Sequence, residues 1–411
     1  MVRINEKTGN GKWLLRCIYM IFILMFLSNV YQVFDTPLKL ISLILTIICF
    51  VGACLHNRIS SGELLYLFCI ALFLFVEFIQ GLLRYGQSLS GFFSAAYYYL
   101  FVLLLPVFTL LIRQYGRDGL LSKLEGICIT ISLFMVASSL LRFLFGIDVT
   151  GITRMRSGFI RINAPFLVQL MSMISLYLCF VDRGRVTHKI GFVTCTLAVV
   201  FVYQSRLVDL LLVFCLALVI LNRYRRNSAS FYLVGMGLVI FLVFLLFGPL
   251  NSLVTSFSVN SEYGGNTVTR VYETDYYTTL FRDNILNGVG LIAYDSPYHS
   301  IISGSLGSYY IDDVGIIGAL AAIGLWVIIL FLIPILILGK NIILNPSYQM
   351  LGWPLLLFII GTSFTTFIVF PYFDPAWPLF LAVFGFNRSK QDTNTSLSTN
   401  GHFKTKDESW R

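Results

Sequence analysis

Arginine is the residue type whose placement in this 411-residue sequence most invites chemistry. Three occur together in GITRMRSGFIRINAP, as Arg154, Arg156 and Arg161. Arg206 sits in the short gap YQSRLVD between two apolar runs, and Arg270 and Arg282 fall in a long polar stretch, 249–312. Arginine presents a planar, permanently charged fork that matches phosphate oxygens. A group of them beside apolar runs reads as an anion site at a membrane surface. Histidine is scarce, with four in all. His56 and His188 fall in gaps expected to face the cytoplasm, and His402 in the polar tail. Only His299, in YDSPYHSIISG, shares the long polar stretch with arginines. A neutral imidazole there suits a general base.

Each feature has a plainer alternative. Arginine near a helix end snorkels to lipid headgroups, which would suffice for Arg84 and Arg282. Arg206 has Asp209 one turn on as an ion-pair partner, and Arg270 has Glu273. A lone loop histidine can be polar filler. The acids Glu77, Glu262, Asp275, Asp295, Asp312 and Asp313 are further candidates, but no two have a spacing that marks an acid/base pair. HExxH, GxSxG, Walker A and DxD patterns are missing, so zinc proteolysis, serine hydrolysis and nucleotide-sugar chemistry have no direct support. The eight cysteines lie in or beside apolar runs, with no CxxC and no His cluster. No disulfide, metal or cofactor is expected of them.

The elements that must position these residues are read from hydropathy. Hydrophobic residues make up 57% of the chain and charged residues 12%; mean hydropathy is +0.82. A soluble domain carries about 25% charged residues. The expected fold is an all-α polytopic membrane protein of about twelve transmembrane helices, with one long extracytoplasmic loop containing a short helix. The apolar runs fall near 14–34, 38–55, 64–83, 92–112, 124–146, 163–181, 188–204, 206–222, 231–248, 313–338, 350–370 and 375–387. The first is too long for a signal-peptide core and is expected to stay as a helix. Most of the 29 basic residues then fall on one side. This bias places both termini in the cytoplasm and the long loop outside. Residues 1–387 are expected to form the membrane domain and 388–411 a disordered cytoplasmic tail. The net charge of +9 is spread over short gaps between helices, so nucleic acid is not the expected partner. Within the loop, Val268, Val271, Tyr272, Tyr276 and Leu280 stand near helical spacing, and Asn287-Gly288 with Gly290 should break that helix.

Three local stretches, taken in order, resemble the O-antigen ligase/polymerase superfamily, which includes the Wzy-type O-antigen and capsule polymerases. They are the Ser205-Arg206 turn opening an apolar helix, Arg270 starting a loop helix that leads to Gly288-Val289-Gly290, and His299 followed by Asp313-Val314-Gly315-Ile316-Ile317-Gly318. The motifs cover about residues 200–325. Ser300 stands where the family usually has Asn, and Leu207 and Val208 stand where it has small residues. The resemblance implies a bacterial inner-membrane enzyme performing metal-independent, inverting glycosyl transfer from an undecaprenyl-diphosphate-linked glycan. Arg206, Arg270 and Arg161 would hold the diphosphate, and His299 would deprotonate an acceptor hydroxyl. Arg154, Arg156, Asp313, Tyr298 and Tyr276 are accessory candidates. The implied partners are lipid-linked donor and acceptor, membrane lipid and a chain-length regulator protein. Alternatives are a ligase acting on lipid A-core and a flippase or transporter of lipid-linked sugars, a class that would want deep charges and discontinuous helices.

Overall fold

The computed structural model describes residues 9–31, 35–56, 59–150, 155–156, 159–182, 185–224, 264–293, 296–304, 309–364 and 375–386. The side chains of Arg156, Arg206 and Asp312 lie outside that description, as do Arg154, residues 225–263 and the segment 388–411.

Long apolar runs become helices because a helix satisfies every backbone N–H and C=O within its own segment. Helices α1 (Gly9–Val30), α2 (Asp35–His56) and α3 (Ser61–Tyr85) come first. A nearly continuous helical stretch succeeds them, from α4 (Leu89–Ala96) through a 3-10 segment, Tyr97–Leu104, into α5 (Leu105–Tyr115). Next are α6 (Arg117–Phe145), α7 (Phe166–Val181), α8 (Val186–Leu197) and α9 (Arg206–Tyr224). The loop helix is α10 (Gly264–Asp283), and the one-turn α11 (Ser300–Ser303) lies beyond it. The chain continues with α12 (Gly315–Ile323), α13 (Ile333–Leu344), α14 (Pro346–Thr362) and α15 (Ala376–Leu381). A two-residue antiparallel pair, Met155–Arg156 with Phe159–Ile160, is the one strand pairing among the described residues.

Among the described residues, six helices are long and apolar enough to cross a membrane: Gly11–Val30, Asp35–His56, Ser61–Tyr85, Leu89–Tyr115, Arg117–Phe145 and Val186–Tyr203. Phe166–Val181, Ile328–Leu344 and Ala376–Gly385 are apolar but shorter. The expected run 231–248 lies outside the described residues.

The expected single helix over 313–338 is instead broken. It is α12, then a turn at Gly324 (φ +57°), then a π segment, Ile328–Leu332, feeding α13. Close packing causes the break. A Cβ on Gly324 would lie 2.5 Å from the Leu286 carbonyl oxygen and 2.6 Å from the Gly288 nitrogen. The chain after α10 therefore occupies the space that a straight helix would need.

The ends of α3 are set by local chemistry. Ser60 and Glu63 form a reciprocal capping box, with the Ser60 N–H donating to Glu63 Oε2 at 2.8 Å. Gly86, in the left-handed region at φ +56°, closes the other end. Arg142 occupies the last turn of α6, 3.6 Å from Asp148.

Candidate functional site

Position 206 is reached through strained backbone. Helix α8 runs into a π segment, Ala198–Tyr203, whose last turn is closed by Gln204 N–H donating to the Val199 carbonyl at 3.1 Å. Gln204 then adopts φ +53°, the one non-glycine in the left-handed region among the described residues. Such strain persists only where surrounding structure holds it, and it clusters at functional turns. Two residues later Arg206 opens α9.

Tyr203 links this turn to the arginine cluster. Arg161 Nε donates to the Tyr203 carbonyl at 3.2 Å, and the guanidinium lies 5.9 Å from the Tyr203 ring centre. The Tyr203 hydroxyl lies within electrostatic reach of Asp209 and Asp313. Asp313, exposed on the 3-10 turn Ile311–Val314, also acts on Glu273 of α10, as does Arg270 one turn earlier. Glu273 is buried, and its Oε1 accepts the Tyr310 N–H at 3.1 Å. Burial raises the Glu273 carboxyl above its usual range, the nearby Asp313 adds to the rise, and the Tyr310 N–H and Arg270 oppose it. Arg161 is thus packed on the turn that opens α9, and Asp313 acts electrostatically both on Tyr203 of that turn and on Glu273 of α10.

The loop helix buries only part of the expected face, and the Val268 side chain lies outside the described residues. Val271 and Tyr272 are exposed, whereas Tyr276, Tyr277, Leu280 and Phe281 pack with Tyr309, Ile311, Val314, Ile317 and Ala321. Apolar spacing alone would turn Glu273 outward, but a backbone N–H awaits it on the inner side. The fully buried Tyr277 donates its hydroxyl to the Ile302 carbonyl at 2.5 Å. Tyr276 donates to the Ile301 carbonyl at 2.9 Å. Both carbonyls belong to α11, which His299 opens. His299 is half-buried, and its carbonyl accepts from the Ser303 hydroxyl at 3.2 Å. Tyr298 is exposed and rests against Tyr85, ring centres 5.2 Å apart. The histidine segment is therefore fastened to the same helix that carries Arg270.

Several contributors are not marked by sequence pattern. The expected break at Asn287-Gly288 occurs, but residues 289–293 form a largely buried, non-helical segment rather than an exposed loop. Val289 and Gly290 N–H groups donate to the Ala321 and Ala322 carbonyls, both at 2.8 Å. Side chains in and next to α3 satisfy the other side. Gln80 Nε2 donates to the Gly288 carbonyl at 3.1 Å, Tyr85 to the Val289 carbonyl at 2.7 Å, and Glu77 Oε2 accepts the Leu291 N–H at 3.0 Å. Glu77, a candidate acid by sequence, is a backbone acceptor here. Non-helical backbone at membrane depth requires such partners. The available signal was a Glu and a Gln one turn apart in an otherwise apolar helix.

His188 also differs from expectation. It is fully buried rather than in a polar gap, with Nδ1 2.5 Å from Glu125 Oε2 on α6 and Nε2 3.8 Å from Asp182. Gly191 leaves the room for this pair, since a Cβ there would meet Glu125 Oε1 at 2.5 Å.

No family model, curated protein or solved structure matches this chain. Its class rests on the fold itself. The chain is a helical membrane protein, and its polar, arginine-bearing cluster is built from the α8–α9 turn, α10 and the two segments that α10 holds.

Proposed function

We propose that this protein is a polysaccharide polymerase acting on the outer face of a bacterial inner membrane. It joins undecaprenyl-diphosphate-linked oligosaccharide repeat units into O-antigen, capsule or exopolysaccharide. The observation that carries this reading is the convergence on α10. That helix bears Arg270, approaches Asp313 through Glu273, and holds the His299 segment through Tyr276 and Tyr277. Asp313 in turn acts electrostatically on Tyr203, against which Arg161 lies. The convergence on α10 supports a reading in which residues for binding phosphate and accepting a proton come from sequence-distant segments.

In this reading His299 takes the proton from an acceptor sugar hydroxyl. The hydroxyl oxygen forms a bond to the anomeric carbon of the donor from the opposite face. The bond from that carbon to the diphosphate breaks, and its electron pair leaves with the diphosphate. The diphosphate is already a good leaving group, so the protein need only stabilise its charge, a task for Arg206, Arg270 and Arg161. The reaction needs no metal. The exposed Tyr272, Tyr298 and Tyr310 offer ring faces to sugars.

The test is single replacement of His299, Arg206 and Arg270, with surface glycan examined by gel. Loss of the long-chain ladder with one repeat unit still attached is the expected result. Loss of all attached glycan would assign the same site to a ligase acting on lipid A-core. A normal ladder from His299→Ala would remove the proposed base. The transporter reading draws on one specific observation, the broken α12–α13 stretch packed against buried non-helical backbone. Purified protein given lipid-linked repeat units in detergent separates the two, because only a polymerase yields longer products.

A further inference from the structure

Polar residues in and just after α3 have no part in the chemistry above, yet they contact the segment that leads to His299. Gln87, directly after the Gly86 cap of α3, makes two such bonds. Its Nε2 donates to the Leu291 carbonyl at 3.1 Å, and its Oε1 accepts the Ala293 N–H at 3.4 Å. Glu77, ten residues earlier, accepts the N–H of the same Leu291 at 3.0 Å. Leu291 is thus gripped at both its N–H and its carbonyl by side chains more than two hundred residues away.

The grip passes on through the backbone. The Ala293 carbonyl accepts the Ser296 N–H at 3.1 Å, and the Ser296 carbonyl accepts the His299 N–H at 3.0 Å. An unbroken run of hydrogen bonds therefore joins Gln87 to the backbone of His299. Tyr85 adds a ring contact to Tyr298, the residue before it. Glu77 is 1% exposed and Gln87 5%, so neither bond is exchanged readily for water. The second Glu77 oxygen, Oε1, is buried without a hydrogen-bond partner. A buried carboxyl group with one oxygen left unsatisfied is a costly way to hold structure alone, since an apolar residue would avoid the desolvation.

We infer that Glu77 and Gln87 are positioning residues for His299. They clamp Leu291 and Ala293 and so fix the height and direction at which the histidine segment leaves the buried backbone before it. The inference rests on the proposed role of His299, but the clamp has a readout of its own. A base must sit within hydrogen-bond reach of its proton, so a loosened clamp lowers the chemical step more than donor binding.

The experiment measures two things on purified full-length protein in nanodiscs. Backbone amide hydrogen exchange is followed over 286–299, and polymer formation is followed with lipid-linked repeat units. In Gln87→Ala the Ala293 amide should exchange about tenfold faster, and in Glu77→Ala the Leu291 amide likewise. Glu77→Gln keeps an acceptor oxygen and should restore protection, and it serves if Glu77→Ala does not fold. The maximal rate in Gln87→Ala should fall about tenfold or more with the donor KM unchanged. Unchanged exchange in both alanine variants would overturn the clamp. Faster exchange with an unaltered rate, or a rate loss that appears wholly in KM, would overturn the positioning role. If the wild-type protein forms no polymer, the glycosyl-transfer reading fails and the positioning role with it, while exchange alone still decides the clamp.

Discussion

The buried carboxylate of Glu273 accepts the backbone N–H of Tyr310 at 3.1 Å, tying the loop helix to the turn that bears Asp313. Burial raises this carboxyl, so the folded protein holds the proton more tightly than the unfolded chain does. The contribution of this group to stability is therefore fully present below its unfolded pKa and is lost as pH rises through the raised folded value. Docking of α10 should tighten on acidification across that window. Amide exchange of 270–281 measured as a function of pH checks this, and Glu273→Gln should flatten the dependence. Slower exchange with rising pH would contradict it.

The hydroxyl of Tyr277 is the firmest tie between α10 and the histidine segment. Tyr277→Phe keeps the ring in its packing site and removes one hydrogen bond, leaving the Ile302 carbonyl with one bond fewer. The cost should be about 1 kcal/mol, or roughly a fivefold rise in local opening. Exchange at 299–303 should rise while the global melting temperature moves little.

Arg270 is exposed, so it can be removed without disturbing the core. Arg270→Ala should leave the melting temperature within about a degree or two and reduce polymer formation by about a hundredfold, a typical loss when one charge-stabilising donor is deleted. Arg270→Lys should recover only part of that, because an ammonium cannot present the two-pronged fork. Full activity in the alanine variant would remove Arg270 from the proposed diphosphate site.

Gly288 has φ +66° and lies against the backbone of α12, where an added Cβ would come within 2.4 Å of the Ala322 carbonyl carbon. Gly288→Ala should cost roughly 1–3 kcal/mol through overpacking alone. Reduced yield of folded protein, read by monodispersity in detergent, is the expected outcome. Gly126 has open space around its missing Cβ, and Gly126→Ala should be neutral.

His188 and Glu125 are each almost completely buried and only 2.5 Å apart. His188→Ala leaves the carboxylate without that partner and should destabilise the α6–α8 packing by about 3–5 kcal/mol. Thermal unfolding in nanodiscs measures it. Joint replacement by Leu at 188 and Gln at 125 should recover much of the loss, since the uncompensated charge is gone.

The six helices among the described residues that are long enough to span are legible in the sequence because each is a continuous apolar run, a property of neighbouring residues. The break after the loop helix is legible too, because Asn287, Gly288 and Gly290 favour it locally. The arginines and His299 stand out by their type and their place beside apolar runs. A linear pattern does not show which residues face one another. Glu77 reads as a lone acid in an apolar helix, and His188 as one residue of a polar gap. Their partners, Leu291 and Glu125, lie 214 and 63 positions away. Part of the buried face of α10 escapes the pattern for the same reason, since a helix reveals which side is apolar but not where a backbone N–H will need an acceptor. Hydropathy is a local quantity, whereas the satisfaction of a buried polar group depends on what folding brings against it. That is why the membrane helices belong to the sequence, and the fastening of His299 between α3 and α10 belongs to the tertiary structure alone.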